Sequence, residues 1–338
     1  MKGAQIFLDH IKGRDIAALT VDGRLEDLFV ESDGMRIGAI YRAVAQRPMK
    51  GQGGIFLTLP DGTGYLRQAK GIAPGQNLFV QVTGVPESGK AIPVTTKLLF
   101  KSRYVIVTPD APGVNLSRSI RDDDERDRIL EYLVDAVSPL DYGLILRSSC
   151  AKASEADVIE DAKAMIATVS ALLADQDQTP CLLLDGASPH ELAWQEWSQE
   201  AVVDRSENCL ECSGVLDQIE ALDRDDIHVG QTGYTIEQTR ALIAVDVNSS
   251  GDTSLAAGLK ANLAMARDFP RQLRLRGLGG QIAIDPAPMA KKDRKIFDST
   301  LKAAFRQDTV QTHIHGWTAM GLVELQRART RVPFVSLT

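Results

Sequence analysis

The sequence predicts a multidomain protein of mixed α+β and α/β class, and three observations carry that prediction. At 338 residues, with 44% hydrophobic and 25% charged side chains, the chain can bury more than one core. Its first third breaks into short alternating apolar runs about ten residues apart, separated by Gly, Pro and Asp-Gly turns, which is the pattern of a small barrel or sandwich. Its last third alternates apolar strands with helical patterns, the pattern of a layered α/β domain.

The β-rich part opens with "FLDH", "IAALTVDG" and "RLEDLFVE" and continues through "RIGAIYRAVAQR", "GGIFLTLPDGTGYLR", "GQNLFVQVTGVP", "AIPVTTKLLF" and "SRYVIVTP". Phe56 and Tyr65 sit beside glycines rather than within Val/Ile runs, and an OB-type barrel uses such rings to stack unpaired bases. After Pro109 the pattern becomes mixed. "DDDERDRILEYLVDAV" and "SEADVIEDAKAMIATVSALLADQ" have helical periodicity, with Ser154 and Asp157 placed for an N-terminal cap. Between them "DYGLILRSSC" is a short strand leading out to Arg147 and Ser148, "TPCLLLDG" is a buried strand, and "SPHELAWQEW" opens a helix capped by Ser188. From "GYTIEQTRALIAVDVNSS" onward, strands alternate with the helices "LAAGLKANLAMARDFPRQLRLR" and "KKDRKIFDSTLKAAFRQD".

Composition excludes several classes. No window approaches the roughly 18 uninterrupted apolar residues of a membrane helix, and the amino terminus lacks a charged-then-apolar signal, so a cytoplasmic protein without a membrane segment is expected. Cys150, Cys181, Cys209 and Cys212 are too few and too irregular for a disulfide framework, which fits a reducing compartment. A net charge of −7 argues against a general polyanion binder. Three basic runs nevertheless cluster late in the chain: "RQLRLRGLGG", "KKDRK" and "QRARTR". Their concentration around the candidate site favours a role in binding over that of ordinary solvated helix faces.

The candidate site is a pair of carboxylates. In "RALIAVDVNSSGDTS" the apolar run Leu242–Val245 ends in Asp246, with Asn248 at alternate spacing; in "GGQIAIDPAPM" Ile282–Ile284 ends in Asp285. Two strands therefore each deliver one Asp at their carboxyl end. Such residues also stand at strand ends simply to bond their own backbone, and a metal-free pair serves glycoside hydrolysis. Glycosidase clefts are lined with aromatic rings, however, and only 5% of this chain is aromatic.

The run "RALIAVDVNSSGDT…NLAMARDFPRQLRLRGLGGQIAIDPAPM…RQDTVQTHIHGWTAMGLVELQRAR" resembles the catalytic core of the ribonuclease E/G family, bacterial endoribonucleases of RNA processing and decay. "GAIYRAV", "GGIF…GYLR", "SRYVIVTP", "LSRSI" and "GLILRSS" follow the family's order. The resemblance implies an RNase H-like domain from residues 1–34 plus 178–228, an OB-type RNA-binding barrel over 35–108, a 5′-end sensor over 109–177 and a deoxyribonuclease-I-like catalytic domain over 229–338. It implies single-stranded RNA as partner and a family homodimer. It assigns Asp246 and Asp285 as ligands for Mg²⁺ or Mn²⁺, which take carboxylate oxygens, and Asn248 as their support. Products would carry a 5′-phosphate and a 3′-hydroxyl. Phe56 and Tyr65 match base-stacking positions, Lys90 a basic position on the same surface, and Arg147 with Ser148 the grip on a 5′-monophosphate.

The chain also departs from the family pattern. Pro288 replaces an acidic residue, Gly277 stands where Asp is common, and Ser148 replaces Thr. The sequence reaches Thr338 without the family's Cys-Pro-x-Cys zinc link, so a short form without intersubunit Zn²⁺ is expected. "CLEC", Cys209–Cys212, is too small a ligand set for a structural zinc, and His313 with His315 reads as strand packing. These departures keep a second reading open: an RNA-binding homologue with little or no cleavage.

Overall fold

The computed structural model describes residues 3–48, 53–139, 141–197, 200–249 and 251–334. It divides the chain into two units, one ending at Ser32 and resuming at Ala201, the other running from Asp33 to Glu200. The first unit opens with an antiparallel meander of β1 (Ala4–Ile11), β2 (Arg14–Val21) and β3 (Arg24–Val30). Both connections are two-residue turns with left-handed backbone, Lys12-Gly13 at φ 51° and 77° and Asp22-Gly23 at 51° and 79°. Their twist matches that of the flanking strands, which is why such turns join hairpins.

The second unit begins with the barrel. β4 (Ile40–Ala45), β5 (Ile55–Leu59), β6 (Gly62–Leu66), β7 (Asn77–Val82) and β8 (Ile92–Thr95) pair in the order β4-β5-β6-β8-β7, and β7 returns to β4 to close the sheet. Tyr41, Ala43, Ile55, Leu57, Leu66, Val80 and Val94 fill its interior. Closure removes the free strand edges that an open sheet would expose.

Next come β9 (Phe100–Lys101), β10 (Val105–Thr108), β11 (Gly113–Leu116), α1 (Asp123–Val137), β12 (Gly143–Leu146) and α2 (Glu155–Leu173). The four strands form one sheet in the order β11-β12-β10-β9. Leu144, Leu146, Val105 and Val107 pack there with Ile129 and Leu133 of α1 and Val158, Ala162 and Val169 of α2. Asp122 caps α1 and Ser154 caps α2, each accepting a first-turn backbone N–H. "SRYVIVTP", expected in the barrel, instead supplies β10 as the antiparallel neighbour of β12.

β13 (Cys181–Leu184) pairs with β4 of the barrel, and α3 (Pro189–Glu196) is closed by a full Ser188/Glu191 capping box. Residues 178–197 therefore belong with the barrel and the β9–β12 layer rather than with the first meander. Nor is β13 a fully buried strand, since Leu182 is 45% exposed. As a short edge strand it needs only one covered face.

The first unit resumes with β14 (Val202–Asp204), parallel to β1, then α4 (Cys209–Cys212) and α5 (Val215–Glu220). Cys209, Leu210, Val215 and Ile219 pack on Phe7, Ile16, Leu25 and Leu28. Burial, then the neighbouring Asp9 and Asp204, push the Cys209 thiol up to about 11, the opposite of what a thiolate ligand needs.

The last layer contains β15 (Asp226–Val229), β16 (Thr232–Gln238), β17 (Ile243–Asn248), α6 (Leu255–Leu275), β18 (Gly280–Asp285), α7 (Arg294–Gln307), β19 (Thr312–Trp317) and β20 (Val323–Arg327). Strand order is β15-β16-β17-β18-β20-β19, with β17 and β18 parallel across α6. Ile243, Val245, Val247, Ile282 and Ile284 bury their side chains with Met265 and Phe269 of α6 and Phe297 and Leu301 of α7. The alternate residues Asp246, Asn248 and Asp285 are exposed, as period-two alternation requires. Among the described residues, no helix is long and apolar enough to cross a membrane.

Two of the three basic runs are part of this architecture rather than a binding surface. Arg271 bonds Asp268 and the Leu25 carbonyl, Arg274 bonds Asp308 and the Glu26 carbonyl, and Arg276 reaches Gln272 and the Arg224 carbonyl. Arg327 shares Asp308, and Arg331 pairs with Asp27. Only "KKDRK" keeps its lysines, Lys291, Lys292 and Lys295, exposed. Periodicity could not reveal this, because helix-face arginines look alike whether they meet water or buried aspartates.

Asp268 lies at the centre of this network, accepting from Arg24, Arg271, Gln272 and the Tyr234 hydroxyl. Burial opposes its ionisation, yet Arg271, Tyr234 and Arg24 together hold its carboxyl below the usual range. A depressed carboxylate contributes stability above its unfolded pKa, lost as pH falls through the folded value. Asp268→Asn should cost about 3 kcal/mol at neutral pH, the scale of a broken buried pair. Urea denaturation should show the variant's deficit shrinking toward acid pH as the native carboxylate protonates.

Candidate active site

β17 and β18 run parallel with Ile243, Ala244, Val245 and Asp246 directly beside Ile282, Ala283, Ile284 and Asp285. The two aspartates are thus register partners at the carboxyl ends of adjacent strands, with backbones about 4.8 Å apart as in any sheet. Both are exposed. Asn248 donates its side-chain N–H to Asp246 Oδ2 at 2.8 Å, fixing that carboxylate's rotamer. Among the described residues neither Asp246 nor Asp285 has a cationic partner within ion-pair distance.

Two adjacent carboxylates without a basic partner repel each other. The donor set, all oxygen and open to solvent, fits a hard divalent cation that keeps water and phosphate in its remaining positions. Asp246, Asp285 and the Asn248 carbonyl face are the groups this layer offers to such an ion.

On the barrel, Phe56 of β5 and Tyr65 of β6 are direct cross-strand partners with ring centroids 5.5 Å apart and planes at 54°. Both alternate with buried neighbours, Ile55 and Leu57 on one strand and Gly64 and Leu66 on the other, so they project from the barrel wall. A Cβ on Gly54 would lie 2.3 Å from the Tyr65 hydroxyl oxygen and 2.6–2.7 Å from its ring carbons, so glycine leaves room for the phenol to lie across the backbone. Lys90 is exposed and pairs with Glu87, just before β8, whose Pro93 sits beside Tyr65.

Arg147 follows β12, and Ser148, exposed, opens a short 3₁₀ turn. The arginine is far from idle. Its Nη1 donates to the carbonyls of Ser102 at 2.6 Å and Gln195 at 2.9 Å, and Nη2 lies 3.0 Å from Glu196. No local pattern around Arg147 marks these partners, which lie more than forty residues away along the chain. The structure thus makes Asp246 and Asp285 register partners with Asn248 bonded to the first, and Phe56 the cross-strand partner of Tyr65, while Arg147 and Ser148 are simply chain neighbours.

The ribonuclease E/G family model matches residues 100–209 and 190–330. The chain belongs to the ribonuclease E/G family. It is 28% identical to ribonuclease E of Nostoc sp. (strain PCC 7120), over 93% of this chain and 54% of that protein. Ribonuclease G of Escherichia coli (strain K12) is 27% identical over 91% of this chain and 76% of its own length. Ribonuclease E of Synechocystis sp. (strain PCC 6803) is 26% identical, covering 93% and 55%. The chain therefore spans about half the length of these ribonuclease E relatives.

Of the two departures near the aspartates, the one at Gly277 has a structural cause, and nothing in the structure explains Pro288 itself. Gly277 ends α6 with φ +61°, and a Cβ there would lie 1.9 Å from the Val332 carbonyl oxygen. Leu278 N–H returns to the Leu273 carbonyl in the wrap that commonly ends a helix on glycine. Pro288 sits in the loop after Asp285, where its carbonyl oxygen would be 2.0 Å from a Cβ on Gly258 of α6. Backbone here rides directly on the helix, and Gly258 makes room for it.

The same loop is held by a residue that sequence reasoning missed. Asn262, fully buried on α6, donates Nδ2 to the Ala287 carbonyl at 2.9 Å and accepts the Ala287 N–H on Oδ1 at 2.9 Å. This two-bond clamp fixes the chain two residues beyond Asp285. The available signal was a single amide on the apolar face of a helix, between Gly258 and Met265. Asn262→Ala should cost about 2–4 kcal/mol, because both backbone groups of Ala287 lose their partners in the core. Thermal unfolding should report the loss, and any activity depending on Asp285 should fall with it.

Proposed function

We propose that the protein is a metal-dependent endoribonuclease that hydrolyses single-stranded RNA to 5′-phosphate and 3′-hydroxyl products. The observation that carries this reading is the in-register Asp246–Asp285 pair, exposed at adjacent strand ends with no basic partner among the described residues. Family membership supports it, as do relatives named ribonuclease E and ribonuclease G. A bound Mg²⁺ or Mn²⁺ would supply an activated water and neutralise charge on the phosphate oxygens.

The chain's own groups define the remainder. Asp246 and Asp285 would hold the ion, and sheet register sets the two carboxylates side by side on neighbouring strands. Asn248 keeps Asp246 from rotating away, and Asn262 keeps the segment after Asp285 seated. Lys291, Lys292 and Lys295 follow Asp285 closely in sequence and offer exposed ammonium groups to the RNA backbone. On the barrel, Phe56 and Tyr65 offer a two-ring platform for an unpaired base, with Lys90 nearby for phosphate. Arg147 and Ser148 read the 5′ end, where a guanidinium suits a terminal monophosphate. In domain terms, β1–β3 with a fourth strand parallel to the first fits an RNase H-like piece, and the β15–β20 layer a deoxyribonuclease-I-like one.

Asp246→Asn or Asp285→Asn should lower cleavage of a labelled single-stranded RNA at least a hundredfold while leaving its affinity within a few-fold, since the ion's largest contribution is to the transition state. Chelation should abolish the wild-type reaction, and added Mg²⁺ or Mn²⁺ should restore it. Undiminished cleavage by either variant would overturn the assignment, and tight RNA binding without metal-dependent cleavage would favour the binding-only reading.

Phe56→Ala tests the barrel surface independently. Losing one stacked base costs about 1–3 kcal/mol, so affinity for single-stranded RNA should fall about tenfold in a variant that melts like the parent. Unchanged affinity would return the ring to a packing role.

A further inference from the structure

The sensor arginine already holds an anion that belongs to the protein. Glu196, the last residue of α3, places Oε2 3.0 Å from Arg147 Nη2 and Oε1 2.6 Å from Lys101 Nζ. One carboxylate therefore bridges two cations, Lys101 at the end of β9 and Arg147 just beyond β12. Arg147 Nη1 is committed to the carbonyls of Ser102 and Gln195. The cationic groups left beside Ser148 to receive an external anion are Nη2 and the Lys101 ammonium, and Glu196 contacts both.

The cluster is open to solvent. Side-chain exposure is 17% for Arg147, 27% for Glu196 and 43% for Lys101, so these groups are neither sealed in a core nor freely solvated. The helix carrying Glu196 is anchored without it: the Arg103 guanidinium stacks 3.9 Å from the Trp194 ring centroid and also bonds the Trp194 carbonyl. Trp197 N–H closes the helix on the Ala193 carbonyl at 3.1 Å. Swinging the Glu196 side chain away breaks two ion pairs and leaves this backbone in place.

We propose that Glu196 is an internal stopper in the 5′-end sensor, occupying the position of a terminal phosphate so that a 5′-monophosphate binds only by displacing it. The inference rests on the reading of Arg147 and Ser148 as that sensor. A carboxylate carries one charge and two oxygens, whereas a phosphate monoester carries about 1.5 to 2 charges and three oxygens at neutral pH, so the exchange favours the phosphate at the cations themselves. Glu196, however, is tethered and present at high effective concentration. The result is a sensor whose discrimination between phosphate and hydroxyl ends is reduced by its own side chain. Glu196 is thus a specificity-determining residue that acts by competition.

The test is fluorescence anisotropy of a 3′-labelled single-stranded RNA bearing either a 5′-phosphate or a 5′-hydroxyl, in chelator so that nothing is cut. The wild-type protein should favour the phosphate end only modestly. Glu196→Gln should raise the phosphate-to-hydroxyl affinity ratio at least fivefold, and adding Lys101→Met should remove most of that gain. Glu196→Asp keeps the charge but is too short to bridge both cations, so its ratio should fall between the two. Thermal melting establishes that each variant is folded. If the ratio stays at the wild-type value in folded Glu196→Gln, or in folded Glu196→Asp should Glu196→Gln not fold, the stopper is overturned. Equal gains for both RNA ends overturn it too, since they would report general charge rather than recognition of the terminus. Because the readout is binding, failure here is separable from failure of the nuclease reading, which cleavage of hydroxyl-ended RNA tests by itself.

Discussion

The parallel pairing of β17 with β18 is the constraint on which the candidate active site depends. Parallel neighbours cannot be joined by a tight turn, so the chain must leave the sheet, cross its face and return. Here α6 makes that crossing, and its apolar face with that of α7 buries Val245, Val247, Ile282 and Ile284. The same alternation that drives those residues inward turns Asp246 and Asp285 outward. A one-residue slip of either strand would exchange the two faces, burying a carboxylate and exposing an isoleucine. Core packing and site geometry are therefore one condition.

Charge is divided in this unit between two tasks. Arg271, Arg274, Arg276, Arg327 and Arg331 are drawn into contacts with Asp268, Asp308, Asp27, Gln272 and backbone carbonyls, and Arg271, Arg274 and Arg331 tie α6 and the segment after β20 to the first meander. Guanidinium suits this work, since several N–H donors in a fixed fork can satisfy more than one acceptor. The aspartates at the strand ends are left without such partners among the described residues. These two carboxylates lie in the open, where a divalent cation would find them under the proposed function.

Charge around Arg147 is arranged differently. The guanidinium is a structural strut through Nη1 and pairs with Glu196 through Nη2, so removing Arg147 would disturb the sheet–helix junction as well as the proposed recognition. Glu196 is the more informative position, because it touches only the receiving side. The barrel surface is simpler. Phe56 and Tyr65 stand on neighbouring strands at one register step, and Gly54 leaves room for the phenol ring.

By itself, the sequence determined the period and the punctuation. Alternating runs located the meander, the barrel strands and the strands bearing Asp246 and Asp285; Ser154 and Ser188 marked helix starts; the ordered motifs pointed to the ribonuclease E/G family. These are local properties, set by side-chain spacing and by turn and cap chemistry. Tertiary structure alone decided which strands share a sheet, so that β10 left the barrel for β12 and residues 178–197 joined the barrel and the β9–β12 layer. It also decided what each polar side chain meets. Arg274 in a basic run, Asn262 on an apolar helix face and Glu196 at a helix end carry no local mark of Asp308, Ala287 or Arg147, because those partners lie tens of residues away along the chain. Spacing fixes the direction in which a side chain points, and the partner waiting there is fixed only when distant segments pack.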